Sequence, residues 1–257
     1  MLARVEDGVG WMTFNNPDRR NALKMEMNLA TTQILDAFEA NDDVRVVVMH
    51  GAGDKAFVSG ADISEFKEHR TTPEARENYD AIFATATRSF AKLSKPLIAM
   101  IRGFCMGGGM ATSLHADLRI AADDAQFAVP AARLGVGYGF AGIDTLTHIV
   151  GPTKAAEIML TARRFNAVEA YDMGLLNQVV PVAELESTVN ELAAMIVNNA
   201  PLTVRTAKAS VKATFQDPAK RDLAAIAEMV ETCFRSRDYQ EGQTAFMEKR
   251  TPQFEGR

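Results

Sequence analysis

A run of glycines follows an apolar segment near the middle of the chain. Residues 103–110 read Gly-Phe-Cys-Met-Gly-Gly-Gly-Met, and the pattern predicts a turn that opens a short helix. Consecutive glycines leave backbone N–H groups uncovered, at a helix end whose dipole favours negative charge. This turn is a candidate cradle for an oxyanion or a phosphate. The alternative is that the glycines only allow a strand and a helix to pack closely.

A second turn of small residues lies in residues 55–66, where an extended segment ends near Ala61. Asp62 and Ser64 are candidate caps of a short helix there. Taken alone, this turn predicts only local structure. Taken together, the two turns each end an element with a free backbone N–H at a small residue, and the oxygen of a thioester enolate requires two such donors. The pair indicates acyl chemistry.

Strands and helices alternate around these turns. The β-branched run at 44–49 predicts a strand buried on both faces, and hence a parallel sheet. The spacing of apolar residues at 25–40 predicts a helix that packs on that sheet. Alternation of this kind is typical of βαβ units. The other predicted elements are a hairpin at 3–6 and 11–14, a helix at 73–93, strands at 97–101 and 117–122, and a short helix that ends at about residue 115.

The strand patterns stop at Pro181. Residues 182–250 read as three or four helices punctuated by Pro201 and Pro218. The prediction is therefore an α/β body, residues 1–181, followed by a C-terminal helical region, residues 182–257.

Composition excludes several classes of function. The chain has 257 residues and a net charge of −5, which argues against a broad nucleic-acid-binding surface. No apolar run is long enough to span a bilayer and the first residues lack a secretory signal, so we expect a cytoplasmic protein with no membrane partner. Two cysteines and four histidines, in no ligand-like spacing, predict neither a disulfide framework nor a metal site.

Short motifs along the chain are similar to those of one known family. The glycine-rich turn and the Ser59-Gly60-Ala61-Asp62-Ile63 turn are two of them. Together, the motifs resemble the crotonase, or enoyl-CoA hydratase/isomerase, family over essentially the whole chain. The others are Asn21-Ala22-Leu23, Lys55-Ala56-Phe57, Lys95-Pro96, Ala125-Gln126-Phe127, Leu134-Gly135, residues 174–180 and Glu248-Lys249-Arg250.

The resemblance implies a crotonase-like spiral of ββα turns, with a C-terminal helical region that packs the chain into a homotrimer or a dimer of trimers. It also implies an acyl-CoA thioester as the substrate. Coenzyme A then enters as part of the substrate, and no separate cofactor is expected. By match to the family's motifs, the N–H groups of Ala61 and Gly108 hold the thioester oxygen as it becomes an enolate.

The resemblance assigns further residues to the binding of coenzyme A. Lys24 and Lys55 are candidate phosphate contacts. Lys249 falls where family members reach into a neighbouring subunit's pocket, although the phenylalanine that commonly accompanies it is Val230 here. The full set from the same chain is Ala22, Lys24, Lys55, Asp62, Ile63 and Ser64.

The chain departs from the family's pattern at the acid–base positions. Ala111 and Ala131 replace the two glutamates that position water in hydratases, and Gly139 replaces an aspartate used by other members. None of the three can transfer a proton. Tyr138 is the predicted catalytic group in their place. The other polar candidates nearby are Asp144, His115 and Arg133.

Three functions stay open on this basis. The first is a lyase of the enoyl-CoA hydratase/isomerase type that acts through an enolate. The second is decarboxylation of a malonyl-type acyl-CoA, because residues 134–143 and 238–250 resemble methylmalonyl-CoA decarboxylases and loss of carbon dioxide forms the enolate directly. Removing glutamates also removes repulsion against a substrate carboxylate. The third is a non-catalytic protein that binds acyl-CoA.

Overall fold

Two β-sheets form the centre of the fold in the computed structural model of the protein, which describes residues 1–65 and 72–257. The strands are β1 (Leu2–Glu6), β2 (Val9–Phe14), β3 (Val46–Gly51), β4 (Ala56–Val58), β5 (Leu97–Ile101), β6 (Phe104–Met106), β7 (Leu118–Ala122), β8 (Gln126–Ala128), β9 (Phe165–Asn166) and β10 (Gln178–Val180). Within the described residues, the larger sheet has the order β1-β2-β3-β5-β7-β10 and the smaller sheet the order β4-β6-β8-β9.

Helices surround the sheets. They are α1 (Met25–Ala40), α2 (Pro73–Lys92), α3 (Gly108–Ser113), α4 (Ala131–Leu134), α5 (Phe140–Thr161), α6 (Ala167–Asp172), α7 (Leu185–Val197), α8 (Pro201–Thr214), α9 (Leu223–Arg235) and α10 (Arg237–Glu248). Helix α5 is kinked at Gly151, where a φ of 77° precedes Pro152. Across residues 1–65 and 72–257, no helix is long and apolar enough to cross a membrane.

The larger sheet is parallel, with an antiparallel hairpin at its edge. β1 pairs with β2 in the hairpin, and β2, β3, β5, β7 and β10 run parallel. Residues 46–49 of β3 are fully buried. Val47 and Met49 belong to one apolar cluster, whereas Val46 and Val48 belong to another on the opposite face. The predicted hairpin and the predicted strand with two buried faces are therefore confirmed.

The smaller sheet is missing from the sequence-based prediction. Its strands have two or three residues each, which is too short for a periodic signal, and they pair with strands distant in the chain. The segment predicted as one glycine-rich turn contains β6, where Cys105 pairs with Phe127. This strand brings the consecutive glycines to the edge of the smaller sheet.

The C-terminal region contains only helices, as predicted after residue 181. Helix α7 packs on the larger sheet, because Leu185 and Val189 share an apolar cluster with Trp11 and Ile98. Farther along, α9 and α10 leave large apolar side chains exposed, namely Phe234, Phe246 and Met247. The division into two domains at residue 181 stays a prediction.

Candidate active site

The turn of small residues that carries Ala61 is held by a single parallel bridge between Leu23 and Ala61. The Leu23 N–H donates to the Gly60 carbonyl at 2.8 Å, and the Asp62 N–H donates to the Leu23 carbonyl at 2.8 Å. Because Leu23 uses the groups on either side of Ala61, the Ala61 N–H is directed away from Leu23. Within the described residues, this N–H has no hydrogen-bond acceptor.

Asn21 fixes the loop that carries Leu23. Its buried side-chain amide donates to the Ala56 carbonyl at 2.7 Å and to the Ala52 carbonyl at 2.9 Å, and its Oδ1 accepts from the Asn16 N–H at 3.0 Å. Asn21 also has a φ of 57°, which asparagine tolerates better than most residues. The loop is therefore tied to both ends of the β3–β4 connection.

The glycine-rich turn at 103–110 packs α3 against β4. A Cβ atom on Gly109 would lie 2.1 Å from the Val58 carbonyl oxygen, so only glycine fits there. Gly107 has a φ of 49°, and its N–H donates to the Ala128 carbonyl at 2.8 Å. Gly108 is the first residue of α3, and no described group accepts a hydrogen bond from its N–H.

The backbones of Gly108 and Ala61 lie close together. A Cβ atom on Gly108 would lie 3.5 Å from the Ala61 nitrogen. Since Cβ and N of one residue are about 2.5 Å apart, the two amide nitrogens are no more than about 6 Å apart. That separation allows both to lie about 3 Å from one oxygen atom. This separation meets one requirement of an oxyanion hole, and the assignment of Ala61 and Gly108 to it stays a prediction.

The residues predicted to bind coenzyme A mostly gather around the Leu23–Ala61 bridge. Ala22 is buried beside it, and Ile63 is 60% exposed on a short 3-10 helix, Ile63–Glu65. The Asp62 carboxylate accepts from the Ser64 hydroxyl at 2.6 Å and from the Ser64 N–H at 3.0 Å, and these hydrogen bonds lower the pKa of Asp62. Lys24 lies near enough to contribute to that shift.

The two remaining lysines are placed differently. Lys55 is exposed in the β3–β4 connection, and its carbonyl accepts from the Phe104 N–H at 3.1 Å. Lys249 ends α10 in the left-handed conformation, with a φ of 55°. In the described part of a single chain, no hydrogen bond or ion pair joins Lys249 to the two turns.

A cationic group that the sequence-based interpretation missed lies beside Lys55. The guanidinium groups of Arg20 and Arg164 lie 5.1 Å and 5.7 Å from the centre of the Phe104 ring. Neither Arg20 nor Arg164 lies in one of the motifs described above, so nothing in the sequence indicated that the two side chains lie together. Guanidinium groups on an aromatic face are suited to bind phosphate.

A cavity of about 230 Å³ lies along α3. Met110 and Ala111 of that helix line it, together with Tyr138. Its other polar lining residues are Thr87, His115 and Thr145. Among the described residues that line the cavity, none carries a carboxylate.

Both titratable groups among the described residues of this cavity are uncharged at neutral pH. Burial raises the pKa of the Tyr138 phenol above its usual value, and no described group accepts or donates a hydrogen bond at its hydroxyl. The His115 ring stacks on Phe90, with ring centres 4.8 Å apart and planes 6° apart. Burial lowers the pKa of His115 to about 4. The Tyr138 phenol therefore carries its proton at neutral pH, and the His115 ring carries no charge.

Comparison with known proteins identifies the family. The family model for enoyl-CoA hydratase/isomerase matches residues 4–257. The chain belongs to this family. It is 38% identical over 257 residues to a crotonyl-CoA hydratase from Syntrophomonas wolfei subsp. wolfei, covering 99% of this chain and 97% of that protein. It is 37% identical over 250 residues to a short-chain-enoyl-CoA hydratase from Clostridium acetobutylicum, covering 97% and 95%.

Solved structures agree with the family assignment. The fold matches an enoyl-CoA hydratase/carnithine racemase from Magnetospirillum magneticum with a TM-score of 0.92 and 33% identity, covering 99% of this chain and 95% of that one. The predicted crotonase-like fold is therefore confirmed. The protein is a member of a family of enzymes that act on CoA thioesters.

In this enoyl-CoA hydratase/isomerase family member, the three positions at which the sequence predicts a missing acid–base group have different surroundings. Ala111 lines the cavity. Ala131 is buried in the main apolar cluster at the start of α4. Gly139 precedes α5, and a Cβ atom there would meet nothing within 4 Å. Asp144, a further polar candidate, lies 3.6 Å from His148 and does not line this cavity.

Proposed function

We propose that this protein is an acyl-CoA lyase that forms a thioester enolate in an oxyanion hole made by the N–H groups of Ala61 and Gly108. The observation that carries the proposal is the nearness of these two unpaired amides, with the Gly108 Cβ position 3.5 Å from the Ala61 nitrogen. As the enolate forms, negative charge grows on the thioester oxygen and strengthens both hydrogen bonds. One such donor typically lowers the barrier by about 3 to 4 kcal/mol.

Tyr138 is the proposed proton donor to the enolate. Its hydroxyl is free to donate, and burial keeps it protonated at neutral pH. Ala111, which lines the same cavity, leaves room for the substrate's α-carbon, where the family's hydratases hold a carboxylate. Proton donation of this kind typically contributes about 10²- to 10⁴-fold in rate.

Decarboxylation of a malonyl-type thioester is the second candidate. The bond between the α-carbon and the carboxylate breaks, carbon dioxide leaves, and the electron pair remains as the enolate. Tyr138 then protonates the α-carbon and regains its proton from water. The observation that favours this reaction is the cavity lining, since its described residues supply a proton donor but no carboxylate that would repel the substrate's own.

We also infer how the rest of the substrate is held. Coenzyme A enters as part of the substrate, with Ala22, Lys24, Lys55, Asp62, Ile63 and Ser64 as its contacts. The exposed apolar side chains of α9 and α10 support assembly into a homotrimer or a dimer of trimers. In such an assembly Lys249 reaches the pocket of a neighbouring subunit. We expect the protein in the cytoplasm.

Product mass tests the reaction directly. The protein is incubated with crotonyl-CoA, malonyl-CoA or methylmalonyl-CoA in water and in deuterium oxide. Hydration adds the mass of one water, and decarboxylation removes the mass of one carbon dioxide with uptake of one deuterium from the solvent. Thioesters that bind but keep their mass and take up no deuterium would refute catalysis and leave an acyl-CoA-binding protein.

Tyr138→Phe separates the proton donor from the oxyanion hole. We expect slower turnover with little change in binding of the thioester. Tyr171→Phe is the matched control, because Tyr171 is an exposed tyrosine on α6. Equal turnover in the two variants would exclude Tyr138 from the reaction.

A further inference from the structure

A second cavity, of about 440 Å³, adjoins the first one. Leu114, His115 and Thr145 line both cavities, so these three residues form the wall between them. The second cavity lies beyond this wall, between α2, α5 and α8. Neither the family match nor the proposed reaction assigns it a role.

The lining of the second cavity is largely apolar and aromatic. Phe90 and Ile149 belong to it, and Val211 and Phe215 close it from α8 and the residue that follows that helix. Phe90 stacks on His115, whose ring has no hydrogen-bond partner among the described residues. The wall between the cavities is thus held by packing alone at His115.

The charged groups of the second cavity are mostly engaged elsewhere. Asp117 lies 2.7 Å from the Lys208 ammonium, and Asp144 lies 3.6 Å from His148. The Arg119 guanidinium donates to backbone carbonyls, one of them that of Leu175 at 2.7 Å. Lys212 also lines the cavity, and its ammonium donates to the Ala91 carbonyl at 3.3 Å. The rest of the described lining is mainly hydrocarbon, which suits an aliphatic chain.

The distance from Gly108 to the dividing wall limits the length of an acyl chain. Helix α3 extends about 7.5 Å from Gly108 to Ser113 at a rise of 1.5 Å per residue, and His115 follows two residues later, so the wall lies about 10 Å from Gly108. An extended acyl chain advances about 1.25 Å per carbon, the projection of a bond of about 1.5 Å, so about eight carbons span this length. The volume of the first cavity leads to a similar chain length. A cavity of about 150 Å³ holds benzene, which has six carbons, so a cavity of about 230 Å³ holds about nine carbons.

We propose that the second cavity binds the distal end of acyl chains longer than about eight carbons, and that His115 is the residue such a chain must displace to enter it. This rests on the proposed function, because the thioester must lie at Ala61 and Gly108. His115 is then a specificity-determining residue that sets the chain length at which binding changes from one cavity to two.

Binding of saturated thioesters tests the proposal without requiring turnover. Dissociation constants of butanoyl-, octanoyl- and dodecanoyl-CoA are measured by calorimetry for the parent and three variants. Val211→Trp fills the second cavity from α8, and Val168→Trp on α6 is its control, since the two valines are 59% and 60% exposed and Val168 lines neither cavity. His115→Ala removes the dividing ring.

One buried methylene changes affinity about fourfold. Val211→Trp should therefore raise the ratio of the dodecanoyl-CoA to the butanoyl-CoA dissociation constant by about tenfold or more, whereas Val168→Trp should leave it unchanged. His115→Ala should lower this ratio by about tenfold. If butanoyl-CoA binds and neither Val211→Trp nor His115→Ala changes the ratio of the two dissociation constants, the second cavity has no part in acyl binding. If no thioester binds the parent, the proposed function itself fails.

Discussion

Gly108→Ala separates the oxyanion hole from the stability of the fold. The added methyl group would meet only ordinary contacts, at 3.5 Å from the Ala61 nitrogen and the Leu23 side chain and 3.6 Å from the Gly60 carbonyl carbon. Gly108 lies in α3 without a positive φ, so alanine needs no backbone change. We expect the variant to fold and to be as stable as the parent, or up to about 1 kcal/mol more stable.

The same methyl group lies between the two proposed donors. An oxygen about 3 Å from both nitrogens shares the space that this Cβ occupies, so at least one hydrogen bond to the thioester is lost. Loss of one oxyanion donor costs about 3 to 4 kcal/mol, which is about 10²- to 10³-fold in kcat. The assay is kcat and KM for the thioester that the parent converts, together with thermal unfolding of both proteins.

Substitutions at two further glycines serve as comparisons for Gly108→Ala. Gly242→Ala on α10 is the control, because its methyl group would lie 3.6 Å from the Phe254 ring, a contact like that at Gly108 but outside the two turns. Gly109→Ala should instead destabilise the fold, since its Cβ would overlap the Val58 carbonyl oxygen at 2.1 Å. A folded Gly108→Ala variant whose kcat stays within about threefold of the parent would refute the oxyanion-hole assignment.

Three other variants test the surroundings of the site. Tyr138→Phe should lower kcat by about 10- to 10³-fold. Because burial raises the pKa of the Tyr138 phenol, the variant should also remove any loss of rate that the parent shows in strong alkali. His115→Phe should remove an acid-sensitive contribution to stability. The folded pKa of His115 is about 4 against an unfolded value of 6.5, so unfolded chains bind more protons between these values, and stability is lost as pH falls through that window. The parent should lose about 2 kcal/mol more than His115→Phe between pH 7 and pH 4.5 in denaturant titrations, and equal losses would contradict the neutral state of His115. Asn21→Ala should lower the free energy of unfolding by about 3 kcal/mol, because the buried Ala56 carbonyl loses the Asn21 amide as its donor and alanine is placed at a φ of 57°. A change below about 1 kcal/mol in the same titrations would show that Asn21 does not fix the loop.

Local pattern determined much of the fold. The buried strand at 46–49 could be predicted because its residues, three valines and a methionine, are all apolar, as a strand covered on both faces requires. The hairpin, the helix at 25–40 and the helical region after residue 181 carry equally local signals. The family, too, could be named from short motifs, because turns that need glycine or asparagine leave few residue choices.

Long-range packing decided the features that local pattern does not carry. β4, β6 and β8 have three residues each and exist as strands only because they pair with one another across the chain. The Ala61 N–H is free because Leu23, on another segment, uses the groups on either side of it. His115 is neutral because Phe90 and its other neighbours exclude water from the ring. A sequence names these residues, but burial, pairing and the direction of an N–H depend on atoms brought together from distant segments, and only the tertiary structure sets those.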